Sequence, residues 1–80
     1  MEKLKELSFT ELQAFKVLVT DMLEKYSKEN AVIGNDESKL NLIDLKVKEK
    51  LGERYMISFD VLSKINKEIE RRVDEYMEKN

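Results

Sequence analysis

Cysteine, histidine and proline are absent from the 80 residues, and glycine occurs only at Gly34 and Gly52. Without cysteine there is no disulfide and no thiolate metal site. Without histidine as well, a zinc site would have to be built from carboxylates alone, which is rare. The same two absences remove the commonest pairings of nucleophile and base. No glycine-rich stretch is present to cradle a phosphate. Carboxylates such as Glu11 and Glu75 are available, but on amphipathic helices such groups are ordinarily solvated. The expectation is therefore a protein that is not an enzyme and has no cofactor or metal. Long apolar runs are missing too: nothing approaches the roughly 18–20 residues that span a bilayer, and the opening Met1–Phe9 has no apolar signal core. The expected setting is cytoplasmic, with no membrane partner.

Charge of one sign is also lacking. Fifteen basic residues face seventeen acidic ones, and the balance holds along the chain: five against six in residues 1–30, five against five in 31–57, five against six in 58–80. No basic or acidic tail exists to steer a partner. With 41% hydrophobic and 40% charged residues, the chain is rich in charge yet has enough apolar side chains to fold. Eighty residues make one domain, and a chain this short buries only about 60–65% of the surface it exposes when unfolded. Since disulfides and thiolate metals are unavailable, oligomerisation is the expected remedy.

One short spelling occurs twice. Leu7–Leu12 reads LSFTEL and, fifty residues on, Ile57–Leu62 reads ISFDVL. In the first copy Ser8 can cap a helix, Glu11 stands where a capping box needs it, and Leu7 and Leu12 occupy the hydrophobic-staple positions. Leu12, Phe15, Val19, Met22 and Tyr26 then follow at spacings of 3, 4, 3 and 4, one face of a helix. In the second copy Ser58 takes the cap position, with Asp60 favourable in the first turn. Val61 replaces the glutamate, so the box is incomplete. Leu62, Ile65, Ile69, Arg72 and Tyr76 repeat the spacing, with Arg72 interrupting the apolar stripe and Val73 beside it. Residues 7–30 and 57–80 share only five of 24 positions, four of them on the cap or the stripe. Convergence on a good helix start explains this better than duplication.

Between the copies, Gly34-Asn35-Asp36 reads as a turn. Ala31–Ile33 is apolar and short, an extended lid in this reading or half of a small ribbon with Tyr55–Ile57. Leu40, Ile43, Val47 and Leu51 have helical spacing, with Asp36, Ser38 or Asn41 to cap the start and Gly52 to end it. The predicted architecture is all-α, a three-helix bundle-like domain that dimerises: helix 8–29, connector 30–39, helix 40–51, connector 52–57, helix 58–79.

The first helix is apolar beyond its stripe. Ala14, Val17, Leu18 and Leu23 widen its oily surface, and a helix apolar nearly all round must be covered on several sides. A second copy would complete that cover. The expected function is a non-enzymatic protein-interaction module, a regulator, adaptor or inhibitor of a partner protein, working as a homodimer. Phe15, Leu18, Val19, Met22 and Tyr26 are the expected interface residues. A purely structural subunit, covered only in a larger assembly, is a related reading.

The alternative comes from a different class. Val47-Lys48-Glu49-Lys50-Leu51-Gly52 followed by Ile57-Ser58-Phe59-Asp60-Val61-Leu62-Ser63-Lys64 resembles a helix-turn-helix, in which a glycine ends one helix and a capped second helix enters the major groove of DNA. The resemblance implies a DNA-binding regulator with its unit at 47–72. Lys64, Asn66, Lys67 and Arg71 would then contact bases and phosphates. Glu53–Ile57 is longer than the usual three- or four-residue turn, and Lys48 stands where the motif has a small residue. The same letters also read as two helices joined by a corner.

Overall fold

The structure, a computed structural model, describes residues 2–79. Two long helices dominate it: α1, Phe9–Ile33, and α2, Leu42–Lys79. A 3-10 helix at Glu2–Glu6 precedes α1, and a shorter one at Glu37–Lys39 lies in the loop between the two. They run antiparallel. At the loop end the Lys48 ammonium reaches Asn30 and Gly34; at the other end the Arg72 guanidinium reaches Leu4 and Leu7. The result is a helical hairpin.

The start of α1 follows its sequence signals closely. Ser8 Oγ accepts from the Glu11 N–H at 3.1 Å, and Glu11 Oε1 accepts from the Ser8 N–H at 2.9 Å, a complete capping box. Leu7 packs against the core cluster that contains Leu12, so the staple forms as well. The Ser8 backbone N–H, and to a lesser degree the Ser8 hydroxyl, hold the Glu11 carboxyl below its ordinary range. Leu12, Val19, Tyr26 and Ile33 recur every seventh residue, and all four are buried or half-buried. That seven-residue recurrence keeps one seam facing the partner helix.

Several expectations are corrected. The fold is all-α with two helices, not three. Residues 52–57, predicted as a connector, are helical, and α2 runs unbroken for 38 residues. Gly52 therefore does not end a helix and Ser58 does not begin one. The physical reason is register. Leu51, Ser58, Ile65 and Arg72 also recur every seventh residue and all face inward: three are buried and Arg72 is half-buried. Breaking the helix would forfeit that common seam, whereas an interior glycine costs only about 1 kcal/mol relative to alanine. Nothing between Glu53 and Ile57 opposes helix, since no proline is present.

Ala31–Ile33 forms the last turn of α1 rather than a lid, and with Tyr55–Ile57 inside α2 no ribbon between them exists. The helix-turn-helix has no turn, so the 47–72 unit is part of one continuous helix. α1 ends where Gly34 takes φ +101°, its N–H donating to the Asn30 carbonyl at 3.2 Å. In the loop Asp36 Oδ1 accepts from the Ser38 N–H and hydroxyl. Asn41 then caps α2. Its Oδ1 accepts from the Asp44 N–H at 2.8 Å, while Asp44 Oδ2 accepts from the Asn41 N–H at 3.3 Å.

The core is thin. Leu4, Leu12, Val19 and Ile65 form its central cluster, with Leu7, Phe15, Val61, Leu62 and Ile69 partly buried around it. Leu12 and Ile65 are the only large side chains fully enclosed among the described residues.

Candidate interaction surface

The outer surface of α1 carries apolar side chains that the protomer leaves uncovered. Val17 is 58% exposed, Leu18 62% and Met22 43%. Of the five residues expected at an interface, Leu18 and Met22 are on this outer surface. Val19 lies in the core between the two helices. Phe15 is half-buried and packs against that core. Tyr26 is half-buried on the inner seam, beside a cleft it shares with Leu51, Gly52 and Tyr55. The structure thus splits the predicted set: Val19 is buried in the core, Phe15 and Tyr26 are half-buried on the inner side, and Leu18 and Met22 point away from it.

α2 exposes more apolar area than its sequence reading suggested. Met56, Ile57 and Phe59 are each more than half exposed. Near its far end an apolar cleft of about 340 Å³ is lined by Phe9, Arg72, Val73 and Tyr76. Phe9, Ile57 and Phe59 were legible only as parts of the repeated hexamer. A signal available for Ile57 and Phe59 was the unbroken seven-residue spacing through Ser58, which turns these neighbours outward.

The four expected nucleic-acid contacts lie along α2. Lys64 pairs with Asp60 at 3.0 Å. Asn66 and Lys67 are exposed. Arg71 is committed to carboxylates on both sides, Glu68 at 2.7 Å and Glu75 at 2.7 Å. Lys64, Lys67 and Arg71 share an open cleft with Lys5 and Glu68, so a flank of positive charge exists, but acidic residues interleave it.

The best-built polar cluster is one that the sequence reading passed over. Glu68 is buried and accepts from both nitrogens of an Arg71 fork, at 3.0 and 2.7 Å, and from Arg72 Nε at 2.7 Å. The Arg71 bonds and then the Arg72 bond push its carboxyl down to about 2, and burial opposes them only in part. Hydrogen bonding to Glu68 in turn holds the Arg71 guanidinium more firmly protonated. The other end of Arg72 donates to the carbonyls of Leu4 at 3.0 Å and Leu7 at 2.7 Å, with Lys5 at 3.4 Å. Arg72, read from the sequence as an interruption of the stripe, is the clasp that fastens the N-terminal segment to α2.

Among the described residues no group of three or more carboxylates is arranged to hold a metal ion. Among them, too, no helix is long and apolar enough to cross a membrane. Set against family models, curated proteins and solved structures, the chain matches none of them, so its surface has to be interpreted from its own geometry.

Proposed function

We propose that this chain is a non-enzymatic protein-interaction module that works as a homodimer, regulating, adapting or inhibiting a partner protein in the cytoplasm. One observation carries the reading: the lone hairpin exposes more surface than a folded protomer of its size should. Its accessible surface is 6431 Å². A compact monomer of this mass exposes roughly 5,000 Å². The difference of about 1,400 Å² exceeds the roughly 800 Å² per partner that a standard protein interface covers. Shape agrees, since the radius of gyration is 17.1 Å, against about 12 Å for a compact 80-residue domain. Much of the surplus is apolar, on Val17, Leu18, Met22, Ile57 and Phe59.

Sedimentation equilibrium from about 1 to 100 µM tests it, a range that corresponds to roughly 5.5–8 kcal/mol of association free energy. A dimer in that range is expected. A strict monomer throughout would remove the homodimer from the proposal, and a partner protein would have to cover the surface instead.

A further inference from the structure

Resting on that self-association, we infer its geometry: two copies pair antiparallel along α1, with Leu18 on the two-fold axis. Glu11, Leu18 and Lys25 are seven residues apart, and Ala14 and Met22 stand four residues to either side of Leu18. At 100° per residue these five occupy a sector about 80° wide, turned about 100° away from the inner seam at Val19. None of them is used inside the protomer to cover the core, and each is exposed. α1 therefore carries two stripes, one spent on α2 and one that covers nothing in the protomer, its charged members tied only locally, Glu11 to Ser8 and Lys25 to Glu29 at 4.0 Å.

The order along the unspent stripe selects the orientation. Reversing a second copy about Leu18 sets Ala14 against Met22 of the other copy, a small residue against a long flexible one. It also sets Glu11 against Lys25, an acid against a base, and symmetry makes each pairing occur twice. A parallel copy in register would instead place Glu11 on Glu11 and Lys25 on Lys25, with Ala14 on Ala14 leaving a gap. Like charges at such positions are repulsive, and this sets orientation in paired helices. Glu11 is already fixed in place by its bond to the Ser8 N–H, so little freedom is lost when it meets a lysine.

α2 extends the same flank. A cleft lined by Glu29, Lys50 and Arg54 shows which sides of the two helices adjoin. Glu29 continues the Leu18 stripe, four residues beyond Lys25. Ile57 and Val61 follow Lys50 and Arg54 at helical spacing and are exposed and half-buried, respectively. Two hairpins stacked on this flank close a four-helix bundle in which neighbouring helices run antiparallel.

The absence of cysteine makes the test direct. In the full chain, L18C is expected to oxidise readily to a covalent dimer, because a residue on the two-fold meets its own copy within the roughly 7 Å that a disulfide spans. K25C alone should stay reduced, whereas an equimolar mixture of E11C and K25C should give the mixed disulfide. In addition, K25E should raise the dimer Kd about tenfold at low salt, the effect shrinking as salt is added. If the unmodified chain sediments as a dimer but K25C bridges to itself, or L18C does not, the antiparallel arrangement about Leu18 is wrong while the homodimer stands. An unchanged Kd for K25E overturns the Glu11–Lys25 pairing in the same way. A monomeric unmodified chain overturns both.

Discussion

Replacing Ser8 with alanine removes the hydroxyl that accepts from the Glu11 N–H, and the expected cost is about 1 kcal/mol of stability. Ser58, in the same hexamer frame, lies in the middle of α2, where no cap is needed. Ser58→Ala should be neutral or stabilising by about 0.5 kcal/mol, since alanine is the better helix former. Urea titration of the two variants side by side reads the difference, and equal losses would mean that α2 is broken at Ile57. Glu68 makes stability depend on acidity. Its folded value is about 2 against 4.5 for the free carboxyl, so the folded state binds fewer protons than the unfolded state between those values. The contribution is therefore complete above the free value and is lost as pH falls through the folded one. Glu68→Gln should flatten that part of the stability–pH curve, and a slope left unchanged would show that the arginine fork does not form. In the core, Leu12→Ala or Ile65→Ala should each cost about 3–4 kcal/mol, because both side chains are completely enclosed.

At the scale of elements, the two glycines give opposite predictions. Gly52 sits inside α2 with nothing near the position a Cβ would take. Gly52→Ala should therefore stabilise by about 0.5–1 kcal/mol. Gly34 holds φ +101° at the end of α1, and Gly34→Ala should destabilise by about 1 kcal/mol. Thermal melts of both variants check the pair; a destabilising Gly52→Ala would restore the expected break. These positions also show how far the letters carried. The start of α1 was legible because its box, staple and stripe all point to the same residue. The end of α1 is misread because Ala31–Ile33 looks like a separate extended piece rather than the last turn before Gly34, and 52–57 because Gly52 is weighed as punctuation without the register on either side of it. Local cost was visible in the sequence, whereas the seam shared by Leu51, Ser58 and Ile65 only counts once a second helix lies along it. Arg72 was misread for a related reason. A cation on an apolar stripe looks like a fault until the carbonyls of Leu4 and Leu7 are seen beside it. For the outward surface, Val17 and Leu18 stand out in the sequence as apolar residues beyond the stripe of α1 and are exposed, but periodicity alone does not separate Met22, on that stripe and exposed, from Val19 and Tyr26, which face the other way.

As a whole molecule the protein is a rod of 58 × 18 × 17 Å, its long dimension set by the 38-residue α2. A rod this thin has little interior, so association should contribute measurably to its stability. The expected sign is a melting temperature that rises with protein concentration across the micromolar range. A concentration-independent melt would show that the hairpin stands alone. The Arg72 clasp has a further consequence, for the order of events. Its partners lie 65–68 residues away in the chain, whereas the turn joining the helices closes within the few residues from Gly34 to Asn41. Winding can thus begin at that turn and travel outward, leaving the opening segment as the last piece to seat and the first to lift. Amide protons of residues 4–7 should trade with deuterium well before those flanking Val19, marking one pole as the loose end of an otherwise cooperative stem.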